Sequence, residues 1–104
     1  MWNQKKECEE VADIFKTISH ADRIAILSYI CDCNQCTCRV KNIYEKLNLS
    51  QPSVSRHLSL MKKQNIVKRI SKDGDTYFTL NLKSKIVRCI QDCVTDLTKA
   101  KTKK

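Results

Sequence analysis

At 104 residues, with 20 lysines and arginines against 11 acidic residues and a formal charge of +9, the chain has room for one domain with a modest core and would gain from a partner subunit. That balance favours a polyanionic partner. Because Gly74 is the single glycine, enzymes built on a glycine-rich phosphate loop or a dinucleotide fingerprint are excluded. No apolar run approaches the roughly 20 residues of a membrane span, and the N-terminal MWNQKKECEE has no apolar signal region, so the expected location is the cytoplasm, with no membrane partner.

A first helix is expected from about Glu7 to Ser19, with Val11, Ile14, Phe15 and Ile18 on one stripe and Glu7, Glu9 and Glu10 near its positive N-terminal end. Ser19 followed by Asp22 resembles a capping box opening a second helix, whose inner stripe is Ile24, Leu27 and Ile30. Next comes CDCNQCTC, Cys31 to Cys38, expected as a loop or the start of a helix. A third helix follows, roughly Arg39 to Leu47, with Val40, Ile43, Tyr44 and Leu47 apolar.

After the turn Asn48 to Ser50, the stretch SQPSVSRHLSLMKKQ reads as a helix with two unlike faces. Val54, Leu58 and Met61 recur at i, i+4 and i+7 toward a core, which leaves Gln51, Ser55, Arg56, Ser59 and Lys62 pointing elsewhere. Ser50 can cap the first turn, where Pro52 costs little. Short hydroxyl and amide side chains approach phosphates and base edges closely, and an arginine can pair bidentately with guanine. A merely solvated face would be rich in Glu–Lys pairs, whereas residues 50–64 hold no acidic side chain. Two helices joined by a short turn, the second bearing the polar face, form the helix-turn-helix pattern.

The segment NIVKRISKDGDTYFTLN places β-branched and aromatic residues on both sides of Asp73-Gly74, a strong hairpin signal. Lys68, Arg69 and Lys72 lie along its arms, as in a wing that touches phosphate or minor groove. A last helix is expected from Leu82 to about Ala100, with Ile86, Ile90, Cys93 and Leu97 inward and a basic tail, 99–104, that frays. No repeat or linker interrupts the succession. Residues 1–104 read as a single winged helix-turn-helix domain, mainly α with one β-hairpin.

Seven cysteines, an odd number without a secretion signal, point to thiolates for metal or redox chemistry rather than to a disulfide framework. Soft sulfur selects Zn, Cd, Pb or trivalent arsenic. Cys36 and Cys38, at i and i+2, lie about 200° apart around a regular helix, so they can chelate one ion only if the helix start is unwound. Cys31 and Cys33 could complete a tetrathiolate site, serve as spares, or pack as small apolar residues. Cys89 and Cys93 share a helix face and could bind an ion or cross a dimer interface, with ordinary packing preferred. His57 in the fourth helix could touch phosphate, cap a neighbour or be structural, and His20 is expected on a solvated surface. Neither histidine has a partner that spacing alone assigns, so nucleophilic catalysis has no support and no enzyme is expected.

The chain as a whole resembles the ArsR/SmtB family of winged-helix repressors, which leave DNA when they bind metal ions or metalloids. Ser19-His20-Ala21-Asp22-Arg23-Ile24-Ala25-Ile26-Leu27 is similar to the family's second-helix signature, Ser50-Gln51-Pro52-Ser53-Val54-Ser55-Arg56-His57-Leu58 to its recognition helix, and Gly74 with Tyr77-Phe78 to its wing. The resemblance implies a dimer formed by the first and last helices. It also implies a DNA-reading set of Gln51, Ser53, Ser55, Arg56, His57 and Lys62, with Arg69 and Lys72 on the wing. Cys36-Thr37-Cys38 is similar to the Cys-x-Cys motif of the cadmium/lead- and arsenic/antimony-sensing branches, which implies Cys36 and Cys38 as ligands and Cys8 as a third. Lys41 stands where one arsenic-sensing type has a further cysteine, and Ser84 and Ile86 stand where another branch has ligands on the last helix.

The expected function is a homodimeric repressor of double-stranded operator DNA that dissociates when these thiolates bind Cd, Pb, Zn, As(III) or Sb(III), with no organic cofactor. One alternative senses oxidants or reactive sulfur through disulfides or persulfides of the same cysteines. Another class is a zinc-stabilised structural or protein-interaction winged helix, against which stand the acid-free fourth helix and the basic hairpin.

Overall fold

The computed structural model describes residues 4–102. Helices α1 (Lys5–Ile18), α2 (Ala21–Asp32), α3 (Val40–Lys46), α4 (Gln51–Lys63) and α5 (Lys85–Thr102) surround a three-stranded antiparallel sheet of β1 (Thr37–Arg39), β2 (Val67–Lys72) and β3 (Asp75–Leu80) in the order β1-β3-β2. Strand β1 is an addition to the expected hairpin. It forms where Thr37, Cys38 and Arg39 pair with Thr79, Phe78 and Tyr77, a ladder set by a partner forty residues away rather than by local pattern.

The two junctions that flank α4's supports share one device. At the end of α3, Asn48 adopts φ 55°, its N–H reaches the Glu45 carbonyl, and the Leu49 N–H reaches Tyr44. At the end of α4, Asn65 adopts φ 61°, its N–H reaches Lys62, and the Ile66 N–H reaches Met61. Both are Schellman closures with asparagine in the left-handed position, and at the second the flanking Met61 and Ile66 are both fully buried in the core. Chain direction is thereby fixed before and after α4. The hairpin closes as expected, with Lys72 opposite Asp75 and positive φ at both Asp73 (53°) and Gly74 (81°), the backbone of a primed two-residue turn.

The core gathers Ile26, Leu27 and Ile30 of α2, Ile43 of α3, Val54, Leu58 and Met61 of α4, Phe78 and Leu80 of β3, and Val87, Ile90 and Val94 of α5. In α5 the buried stripe is therefore Val87, Ile90 and Val94, which turns Cys93 outward, contrary to the stripe expected through Ile86 and Cys93. The side chain of Leu97 lies outside the described set. Helix α5 also carries on to Thr102, so of the tail expected to fray only 103–104 lie outside the described residues. The start of α2 needs a second correction: Ser19 closes α1, its N–H on the Lys16 carbonyl, and His20 is the cap of α2, its Nδ1 accepting from the Asp22 N–H at 3.1 Å. On α1, Ile18 is buried, while Val11 and Phe15 are 39% and 52% exposed, so half of its apolar stripe is uncovered in the protomer.

Candidate nucleic-acid interface

Ser50 caps α4 as expected, its Oγ accepting from the Ser53 N–H at 3.2 Å, and Pro52 sits in the first turn. With Val54, Leu58 and Met61 buried, Gln51, Ser55, Arg56, Ser59 and Lys62 are exposed and Ser53 is half-buried. On the wing Lys68, Arg69 and Lys72 are exposed. Helices α3 and α4 and the wing enclose a cleft of about 370 Å³, into which Gln51, Ser55, Ser59 and Lys62 of α4 and Arg69 of β2 project. Sequence reasoning missed two further cations on its wall, Arg39 and Lys41. The signal for them is their place at the first turn of α3, directly after the cysteine cluster.

His57 departs from the DNA-reading set. It is buried, because position 57 lies three residues after Val54 and four before Met61 and so belongs to the inward stripe. Its Nδ1 accepts from Arg23 Nε at 3.0 Å, and Arg23 Nη1 donates to the Thr17 carbonyl at 2.7 Å, so one guanidinium ties the end of α1 and the start of α2 to α4. Burial, and then the neighbouring Arg23 charge, hold the His57 pKa below its usual value.

His20 stacks edge-on against His57, ring centroids 4.7 Å apart, and Asp22 Oδ2 lies 3.9 Å from His57 Nε2. These three are the one group of potential metal ligands within 4.8 Å of one another among the described residues. Both rings accept an N–H at Nδ1, which places their protons on Nε2 and leaves no free lone pair for an ion. The cluster is a helix clamp, and a carboxylate partner for His57 that sequence spacing did not reveal.

The expected thiolate set is not assembled. Cys38 is buried at 3% exposure and its sulfur is bonded to that of Cys33, with Cα atoms 6.0 Å apart, so Cys36 and Cys38 are not a free pair. The turn that brings Cys33 to Cys38 is the 3-10 segment Asn34–Cys36, where Gln35 and Cys36 both take positive φ, 57° and 51°. Cys36, half-buried, accepts from Gln91 Nε2 of α5 at 3.1 Å. Cys8 is exposed on α1 and forms no close group with Cys36. Burial pushes the Cys31 thiol up to about 11, opposed by a hydrogen bond with Thr95 of α5. Cys89 and Cys93 are both exposed on α5, not packed.

A basic hairpin beside a capped helix with an acid-free outward face, carried on five helices, defines the winged helix-turn-helix class. Residues 20–69 match the family of bacterial regulatory proteins described as the arsR family. The chain is 36% identical over 61 residues to the HTH-type transcriptional regulator MJ1325 of Methanocaldococcus jannaschii, an alignment covering 58% of this chain and 65% of that protein. Among solved structures it is similar to HlyU of Vibrio cholerae (TM-score 0.77, 22% identity, 88% of this chain and 95% of that one). It is also similar to the transcriptional repressor PagR of Bacillus anthracis (TM-score 0.74, 26% identity, 86% and 98%). A third is the homodimeric winged helix-turn-helix DNA-binding domain of Mb0332 from Mycobacterium bovis (TM-score 0.76, 15% identity, 95% and 87%). The helix-turn-helix unit, residues 20–69, is a domain of the arsR family of bacterial regulatory proteins. No described helix is long and apolar enough to cross a membrane.

Proposed function

We propose that this chain is a transcriptional repressor that binds double-stranded operator DNA as a homodimer. The observation that carries the reading is the outward face of α4, where Gln51, Ser55, Arg56, Ser59 and Lys62 stand exposed without an acidic residue, next to the exposed Arg69 and Lys72 of the wing. α4 enters the major groove and the hairpin follows the backbone beside it. The uncovered Val11 and Phe15 on α1 give the second subunit its seat. Selection from a random-sequence duplex library tests this: an imperfect palindrome should emerge, and failure to enrich any sequence would refute it.

The trigger for release lies in the Cys33 to Cys38 segment. With that pair reduced, Cys36 and Cys38, joined by Cys8, would offer thiolates to a soft ion such as Cd, Pb, Zn or As(III), and ion binding would reshape the start of α3. The Cys33–Cys38 bond favours a second reading, in which the pair itself is the sensor. Two thiols give up two protons and two electrons to hydrogen peroxide, forming one disulfide and two waters. Operator binding measured with reduced protein, with protein treated with peroxide, and with reduced protein plus Cd²⁺ separates the two. Release by peroxide that is lost in Cys33→Ser supports the redox sensor, and release by the ion alone supports the metal.

A further inference from the structure

Arg39 ends β1 and caps α3, and its side chain reaches across the cleft wall to Asp75, the first residue of β3 after the hairpin turn, Nη2 to Oδ2 2.5 Å. Both side chains are about two-fifths exposed, 41% and 40%. An ion pair that open contributes little to stability, so its placement asks for another reason. Although the side chain is partly exposed, Arg39 Nε is buried and meets no acceptor. A guanidinium carries five donors in a planar fork, and the Asp75 bond leaves Nε unused.

The surroundings are one-sided. Arg39, Lys41, Lys62 and Arg69 line the cleft with Asp75 as its single carboxylate. The same cleft is floored by the Ser55 and Ser59 hydroxyls on the exposed face of α4, the face assigned above to the groove. An anion seated here would meet four cations at the level where a duplex backbone passes between recognition helix and wing.

We propose that Arg39 is a phosphate clamp of the DNA interface, held in place by Asp75 until a backbone phosphate takes the carboxylate's position on the guanidinium. The inference rests on the DNA-binding reading and adds to it a residue outside the recognition helix and the wing tip. Arg39 is a contact that positions the duplex and carries no base information. Asp75 acts through Arg39: it pre-orients the fork and competes with the phosphate for it.

The test is operator affinity as a function of salt for the full chain and the variants Arg39→Ala, Arg39→Lys, Asp75→Asn and the double variant. Losing one phosphate contact lowers the slope of log affinity against log salt by about one. Arg39→Ala should do that, with affinity down about tenfold, and Arg39→Lys should recover the slope but not the full affinity. Asp75→Asn should bind more tightly, and the gain should shrink when Arg39 is already alanine. An Asp75→Asn gain that persists in full on the Arg39→Ala background, or an Arg39→Ala slope equal to that of the unaltered chain, overturns the proposal. Melting curves of both single variants establish that the fold is intact. If the unaltered chain binds no duplex, the DNA-binding reading itself fails, an outcome distinct from an Arg39 variant that binds with an unaltered slope. The Arg39 Nε–H resonance should shift with duplex and not with inorganic phosphate at equal phosphate concentration. An equal shift would mark a small-anion site instead and sink the clamp.

Discussion

At position 57 an imidazole occupies a place the helical repeat assigns to the core, and its chemistry differs from that of the exposed residues on either side. His57 Nδ1 is an acceptor for Arg23, so protonation would set two donors against each other beside a cation. Its folded-state pKa is lowered from 6.5, so between that folded value and 6.5 the unfolded chain binds more protons than the folded one. Stability from this group is full above pH 6.5 and is lost as pH falls through that window. Chemical denaturation between pH 7.5 and 5 should therefore show a decline that His57→Gln flattens; an equal slope in both would place the titration elsewhere. Arg56, its exposed neighbour, has the opposite duty. Arg56→Ala should shift sequence preference at one base position by about 1–3 kcal/mol if it reads a base edge, and weaken all duplexes alike if it holds a phosphate. The sequence made Arg56 legible through residue type. It made His57 legible as well, through the spacing Val54, His57, Leu58, Met61, but residue type argued for the surface and obscured it.

Elements announced by local rules formed where the sequence places them. Ser50 and Pro52 open α4, and Asp73-Gly74 turns the hairpin in the expected two-residue register. The turn supplies a clean prediction: a Cβ at Gly74 would meet nothing within 4 Å, so Gly74→Ala costs only the backbone term, about 1–2 kcal/mol for a left-handed residue. Denaturant midpoints of the variant check this, and a larger loss would mean that the wing tip packs against something. Elements defined by remote partners were not legible. Strand β1 is three residues long and exists through β3, and within the cluster CDCNQCTC its sulfur-rich spacing suggested a chelating loop. In α5 two stripes pass through Ile90, one by Cys93 and one by Val94, and packing against α2 selects the second. The disulfide lay outside what spacing tells, since Cys33 and Cys38 meet because Gln35 and Cys36 take left-handed backbone angles.

For the molecule as a whole, charge and uncovered apolar surface point to two different partners. Phe15, 52% exposed on α1, should be covered in the dimer, so Phe15→Glu should sediment as a monomer and lose most of its affinity for a palindromic site while its melting point changes little. A variant that stays dimeric would move the interface elsewhere. Among the described residues the sheet order leaves β2 at an open edge, with no strand on one side, and Lys68, Arg69, Ser71 and Lys72 are exposed along it with Ile70 39% exposed among them. Such an edge is a template for strand addition, and lysines are a common means of blocking it. The cations that suit the wing to a polyanion are thus also of the kind that discourages strand addition at such an edge. Off DNA they repel their own kind, so substitutions that neutralise Lys68 and Lys72 trade solubility at high concentration for any change in affinity they bring.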